Sequence, residues 1–127
     1  MWPTSTYHPL VLLRSVPGLF IRPRGGEAEI TVDVSAGTTT MFIRGQLDLV
    51  TMPLLAEQLT RVLAARPARL VLDLTRTGFL DCGSARLIAT ASRSLPPGQR
   101  VVLRRPAPGI RRVFELTGLD VHCDIEG

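Results

Sequence analysis

The apolar run from Leu70 to Leu74 (LVLDL) constrains the fold of this chain more than any other part of its sequence. A short, almost continuous apolar run is typical of a central strand that helices cover on both faces. The segments on either side, residues 52–66 and 82–95, carry apolar residues three and four positions apart, as in a helix with one buried stripe. A strand between two helices predicts parallel pairing with right-handed crossovers, and therefore an α/β fold.

Further strands and a third helix complete this pattern. Residues 29–34 alternate polar and apolar side chains, and Ala36-Gly37 favours a turn into a second strand at 39–44, so a β-hairpin is expected there. A third helix is expected at residues 107–117, and a last short strand at about Val121 to Ile125. We therefore expect a mixed β-sheet with an N-terminal hairpin and about three to four helices mainly on one face.

Polar residues and glycine mark the ends of the predicted helices. Thr51 and Asp81 immediately precede the first and second helices, where their side chains could accept from unpaired N–H groups as N-caps. Pro53 is tolerated in the first turn, where its missing N–H would have no partner. Gly118 fits the left-handed residue that ends many helices.

Frequent proline and glycine set the first 27 residues apart from the rest of the 127-residue chain. Four prolines and the pair Gly25-Gly26 interrupt this segment so often that neither a helix nor a long strand fits it. Residues 1–27 are therefore interpreted as an irregular extension, and residues 28–127 as one domain. That domain is long enough to bury its own core.

The fifteen basic side chains are all arginine, and the net charge is +4. The densest group comprises Arg100, Arg104, Arg105, Arg111 and Arg112, which raises the hypothesis of nucleic-acid binding. The sequence has no helix-turn-helix pattern, zinc-ligand spacing or interleaved aromatics to support it. A solvated basic surface, without direct nucleic-acid contact, is the favoured interpretation.

Neither the cysteines nor the histidines have the spacing of a metal site. Cys82 and Cys123 lie far apart, and His8 and His122 share no motif, so we expect no metal, no cofactor and no disulfide framework. The apolar stretch from Leu10 to Ile21 is broken by charge and proline and is shorter than the roughly 20 residues a membrane helix needs. A cytoplasmic protein without a membrane partner is expected.

Three segments, taken in order, carry a family resemblance. They are Gly45 to Leu55 (GQLDLVTMPLL), Leu70 to Leu74 followed by Phe79-Leu80-Asp81, and Arg111 to Asp120 (RRVFELTGLD). Over about residues 28 to 125 the chain resembles the STAS domain of bacterial anti-sigma factor antagonists. The resemblance implies a STAS-like fold and a non-enzymatic role in transcription regulation, in which the protein sequesters an anti-sigma factor of the ATPase/kinase type.

The same resemblance implies a site and a mode of control. It assigns partner binding to one set of residues: Asp48, Thr51, Asp81, Cys82, Gly83 and Ser84. In the family, the loop that opens the second helix carries a serine that the anti-sigma kinase phosphorylates. A phosphate adds about −1.5 to −2 charges and can thereby break a flat interface, which switches partners.

The sequence departs from the family pattern in this loop, because Cys82 stands where the phosphorylated serine usually stands. Ser84 is then the candidate phosphoacceptor, with its hydroxyl expected to be exposed at the positive end of the helix. The alternative is that Ser84 is only a small first-turn residue. Cys82 likewise fits either a small apolar residue or a reactive thiol, although Asp81 opposes a lowered thiol pKa.

The sequence leaves alternatives open both for Asp48 and for the role of the whole molecule. Asp48 fits a turn or capping role before Thr51 as well as it fits docking. No acid/base pair or other catalytic constellation accompanies Asp48 and Asp81, so no enzyme activity is expected. The second candidate function is a STAS subunit of a larger assembly, such as a lipid-transport complex, without phosphorylation. The sequence leaves open whether the protein forms a homodimer.

Overall fold

The computed structural model describes residues 27–127 of the chain. The predicted irregular extension, apart from Glu27, therefore lies outside the described residues. Within the described range, no helix is long and apolar enough to cross a membrane.

In the described part of the chain, five strands form one mixed sheet in the order β1-β2-β3-β4-β5. The strands are β1 Ala28–Ser35, β2 Thr38–Leu47, β3 Arg69–Leu80, β4 Val102–Arg104 and β5 Asp124–Glu126. β1 runs antiparallel to β2, and the other neighbouring pairs are parallel. Ala36 and Gly37 have positive φ angles of 52° and 82°, as a two-residue type I′ hairpin turn requires. The predicted hairpin is confirmed.

Within residues 27–127, four helices pack against one face of this sheet: α1 Met52–Ala64, α2 Cys82–Arg93, α3 Pro108–Thr117 and the short α4 Leu119–His122. Their buried side chains belong to one apolar cluster that also contains Leu70, Leu72 and Leu74 of β3. These three residues alternate along the strand and so share one face. The α/β fold is confirmed, but the expectation that helices cover both faces of β3 is wrong for the described residues. On the other face of β3, Val71 and the one polar residue of the run, Asp73, are also buried.

Two boundaries differ from the sequence predictions. β3 continues past Leu74 to Leu80, and it pairs with β2 through two register irregularities. The buried hydroxyl of Thr77 donates to the carbonyl of Ile43 at 2.8 Å within this extension. At the C-terminus, residues 119–122 are helical, and the strand expected from Val121 begins instead at Asp124. The left-handed conformation of Gly118 turns the chain so that Leu119 enters the core.

Hydrogen bonds from Ser92 and Arg100 hold α4 and β5 against the rest of the domain. The Ser92 hydroxyl donates to the carbonyl of His122 at 2.6 Å and accepts from the Val101 N–H at 3.0 Å. The Arg100 guanidinium donates to the carbonyls of Val121 and Cys123 and to the Asp124 carboxylate. These bonds join the last residues of the chain to α2 and to the segment before β4.

Two arginines of the predicted basic patch also hold β5 against the domain. Arg104 binds the Glu126 carboxylate at 2.9 Å, and Arg100 binds that of Asp124 at 3.0 Å. Two of its five arginines therefore hold β5 in place, while Arg105, Arg111 and Arg112 are exposed.

Candidate functional site

The predicted site residues lie where β2 and β3 end side by side. Leu47 and Leu80 are register partners at the ends of the two parallel strands, and both are buried. The backbone N–H of Asp81 donates to the carbonyl of Leu47 at 2.9 Å. The loop before α1 and the loop before α2 are consequently held next to each other.

Asp48 and Thr51 form a reciprocal hydrogen-bonded turn before α1. The Asp48 carboxylate accepts from the N–H groups of Val50 and Thr51 at 3.0 and 3.1 Å, and the Thr51 hydroxyl accepts from the Asp48 N–H at 2.9 Å. This is the geometry of a capping box. The expectation that the Thr51 side chain caps α1 is wrong: it makes no capping hydrogen bond, and its hydroxyl instead donates to the carbonyl of Gln46 at 2.8 Å. The turn alternative for Asp48 is confirmed, because its carboxylate holds the turn that precedes α1.

This polar turn keeps two apolar side chains in water. Leu49 is 77% exposed and Val50 is 71% exposed, although both lie between Asp48 and Thr51. On the neighbouring strand end, Phe79 is 48% exposed, and Cys82 at the start of α2 is also exposed. We call Leu49, Val50, Phe79 and Cys82 the strand-end patch. Exposed large apolar side chains at one end of a sheet are candidates for contact with another protein.

Asp81 begins α2 as the sequence predicted. Its Oδ1 atom accepts from the backbone N–H of Ser84 at 2.8 Å, so Asp81 is the N-cap. Gly83 lies in the first turn, and a Cβ atom placed there would come within 2.6 Å of the terminal methyl of Met52. The start of α1 therefore contacts the start of α2 through the flexible end of the Met52 side chain.

Ser84 does not lie where the sequence interpretation placed it. The residue is completely buried, and its Oγ atom has no hydrogen-bond partner. The expectation of an exposed hydroxyl is wrong, because the third residue of α2 faces the core together with Ala85 and Ile88. Cys82, two positions earlier, carries the exposed nucleophilic side chain in this loop.

The structure therefore brings the predicted partner-binding residues together where β2 and β3 end. These residues have different roles. Asp48, Thr51 and Asp81 fix the backbone of the two loops, Gly83 allows them to pack, and Cys82 faces solvent. Sequence reasoning missed Leu49, Val50 and Phe79 as surface residues. The available signal was an Asp-x-x-Thr capping pattern that encloses two apolar residues.

The carboxylates at the ends of β2 and β3 hold the backbone of the two loops in place. The carboxylates of Asp48 and Asp81 both accept hydrogen bonds from backbone N–H groups. In residues 27–127, no group of three or more His, Cys, Asp or Glu side chains could hold a metal ion. The arrangement is suited to molecular recognition through apolar contact.

Comparison with known proteins shows the family of the chain. The model of the STAS domain family matches residues 29–126. RsfB of Mycobacterium tuberculosis, named an anti-sigma-F factor antagonist, is 34% identical over 93 residues, which are 72% of this chain and 75% of that protein.

Solved structures have the same fold. An anti-sigma factor antagonist from Mycobacterium paratuberculosis superimposes with a TM-score of 0.75 and 26% identity, covering 81% of this chain and 88% of the other. The antagonist SpoIIAA in its unphosphorylated form superimposes with a TM-score of 0.64 and 19% identity, covering 76% and 86% of the two chains. SpoIIAA is a Bacillus protein, and at this identity it supports the fold alone.

Proposed function

Since the chain belongs to the STAS domain family, we propose that it is an anti-sigma factor antagonist. In this role it binds an anti-sigma factor of the ATPase/kinase type in the cytoplasm and so releases a sigma factor. The relative that is 34% identical and the solved structure that is 26% identical both carry the name of anti-sigma factor antagonist, which supports the proposal. The protein acts as a regulatory binding module and not as an enzyme.

The strand-end patch is the observation that carries this proposal. Protein interfaces concentrate their binding energy in a few large, mostly apolar side chains that become fully desolvated on association. Leu49 and Val50 are exposed in the loop that the Asp48–Thr51 turn holds in place, and Phe79 is exposed at the end of β3, next to the loop that the Asp81 cap holds in place. Because these loops are already ordered, binding would cost little additional conformational entropy.

Control by phosphorylation in the 81–84 loop remains a prediction. The burial of Ser84 weighs against that residue as the acceptor, since a kinase would reach its hydroxyl only after the first turn of α2 opens. If the turn does open and accept phosphate, the added charge could not return to the buried position without a partner. Modification of Ser84 would then abolish the ordered patch as well as add charge.

Binding of the full-length protein to the ATPase-type anti-sigma factors of its source organism tests the proposal by isothermal titration calorimetry. Wild-type protein should bind one of them, and Phe79→Asp and Val50→Asp should each weaken that binding by at least about tenfold, as hot-spot substitutions do. Leu116→Asp is the matched control, because Leu116 is 75% exposed on α3 and outside the patch.

Two results would contradict the proposal. One is no binding to any such anti-sigma factor. The other is binding that the Phe79 and Val50 substitutions leave unchanged. Co-purification with transporter subunits instead of an anti-sigma factor would favour the second candidate, a STAS subunit of a larger assembly.

A further inference from the structure

The outer edge of β1 has unused hydrogen-bonding capacity. β1 is eight residues long and lies at the end of the sheet, and no other strand of residues 27–127 pairs with its outer side. A long, regular edge strand presents a row of free N–H and C=O groups to which another strand can add. The opposite edge, β5, is three residues long. β1 is therefore the stronger candidate for strand addition.

The register of the hairpin shows which groups point outward. The N–H of Gln46 donates to the carbonyl of Glu27 at 2.8 Å, so the backbone polar groups of Glu27 face β2. The pairing then continues without a shift to Ser35 opposite Thr38. Because the direction alternates along a strand, the outward-facing N–H and C=O groups are those of the even-numbered residues. They are Ala28, Ile30, Val32 and Val34.

A second copy of β1 can use these groups in an antiparallel arrangement. If Val32 lies opposite Val32 of the second copy, then Ile30 lies opposite Val34, and all of these residues present outward-facing backbone groups. Their side chains continue the apolar face of the sheet, because Ile30 and Val32 belong to the core. Val34, which is 44% exposed in the single chain, gains a neighbour in this arrangement.

Charge on the other face of the strand selects this register. With Val32 at the centre, Thr31 lies opposite Asp33 of the second copy, so a hydroxyl can donate to a carboxylate. Centring the pair on Asp33 would place two copies of Asp33 opposite each other, and centring it on Thr31 would place Asp33 opposite Glu29, whose charge Arg44 at 3.4 Å only partly offsets. Like charges directly opposite one another destabilise a strand pair.

We propose that two copies of this chain pair through β1, with Val32 at the two-fold axis, to form a continuous ten-stranded sheet. The contact lies at the edge strand and does not involve the strand-end patch, so it stands independently of the proposed function. Thr31 and Asp33 occupy pairs without backbone hydrogen bonds, where opposite Cα atoms come within about 4.5 Å. Substitution of these two exposed residues therefore tests the register directly.

Sedimentation velocity over a concentration series measures the dimer. Wild-type protein should approach twice the 13.9 kDa chain mass. Thr31→Glu places a carboxylate opposite Asp33 and should raise the dimer dissociation constant by about tenfold. The double variant Thr31→Glu with Asp33→Arg replaces that repulsion with attraction and should restore the dimer.

Thr75→Glu is the matched control, because it adds the same charge to an exposed residue of β3 on the same face of the sheet. It should leave dimerisation unchanged. Circular dichroism of all variants checks that the fold is retained. A wild-type protein that stays monomeric at every concentration overturns the proposal, as does a dimer that Thr31→Glu does not weaken. A double variant that fails to recover would exclude this register.

Discussion

Asp81 accepts, through Oδ1, a 2.8 Å hydrogen bond from the backbone N–H of Ser84, and this contact begins the helix that follows the strand-end patch. Asp81→Ala removes the cap and should lower the free energy of unfolding by about 1 kcal/mol, the usual cost of losing an N-cap. Asp81→Asn should retain most of the stability, because asparagine caps equally well. Urea unfolding of the three proteins measures both effects. Equal losses in the two variants would show that the charge, and not the hydrogen bond, matters.

Phosphorylation can be tested by comparing two side chains of one loop. The hydroxyl of Cys82→Ser would be exposed, whereas that of Ser84 is buried. An anti-sigma kinase that binds the protein should therefore phosphorylate Cys82→Ser faster than it phosphorylates the wild type. Mass spectrometry identifies the modified residue, and Cys82→Ser combined with Ser84→Ala separates the two acceptors. If neither the wild type nor Cys82→Ser accepts phosphate, the predicted switch is absent.

Ser92 should matter more for stability than its size suggests. Its hydroxyl bonds both the Val101 N–H and the His122 carbonyl. Ser92→Ala leaves these buried backbone groups without that partner and should cost about 1–3 kcal/mol. Ser94→Ala is the control, because the Ser94 hydroxyl bonds a carbonyl within its own helix end. Denaturant unfolding would contradict this prediction if both variants lost the same stability.

Alkaline pH should destabilise the protein through Cys123. Burial raises the pKa of its thiol from 9.0 to about 11, against smaller opposing effects of Ser92 and Arg100. The neutral thiol is thus favoured in the folded state, so its contribution is complete below about pH 9 and is lost as the pH rises towards 11. The chain contains no lysine that would titrate in the same range. Urea unfolding should show a steeper loss of stability above pH 9 in the wild type than in Cys123→Ala.

Removal of residues 1–26 tests the predicted domain boundary. β1 begins at Ala28 and is paired along its full length with β2. We therefore expect the shortened protein to unfold within about 2 kcal/mol of the full chain, less than the burial of a core side chain contributes. A larger loss would show that the first 26 residues contribute to the folded core.

The features that were predicted correctly from the sequence are those that a local pattern of residues determines. The apolar runs, the helical spacing, the Asp81 cap and the left-handed Gly118 depend on neighbouring residues, and all four occur in the structure. The extension of β3 from Thr75 to Leu80 was missed because it begins with three polar residues and contains Gly78, which is unfavourable inside a strand. It is a strand because β2 lies beside it, and that pairing joins segments about 30 residues apart.

At the candidate site, too, features that depend on tertiary packing were not predicted. Its location followed from the family pattern, but the burial of Ser84 depends on which side of α2 meets the core. The role of Thr51 was missed because its hydroxyl can reach Gln46 only after the end of β2 and the start of α1 approach each other. Helical spacing predicts that a helix exists, whereas the rotation of its first turn depends on tertiary packing.

The Asp48–Thr51 turn separates two requirements that most surface loops combine. The side chains that hold the loop are polar and flank it, while Leu49 and Val50 contribute little to folding because both are largely exposed. Substitution at these two positions can alter what the loop recognises without altering how the domain folds. Duplicated copies of such a protein could therefore acquire different partners through two codons, and a library randomised at positions 49 and 50 would sample new binding specificities on an unchanged scaffold.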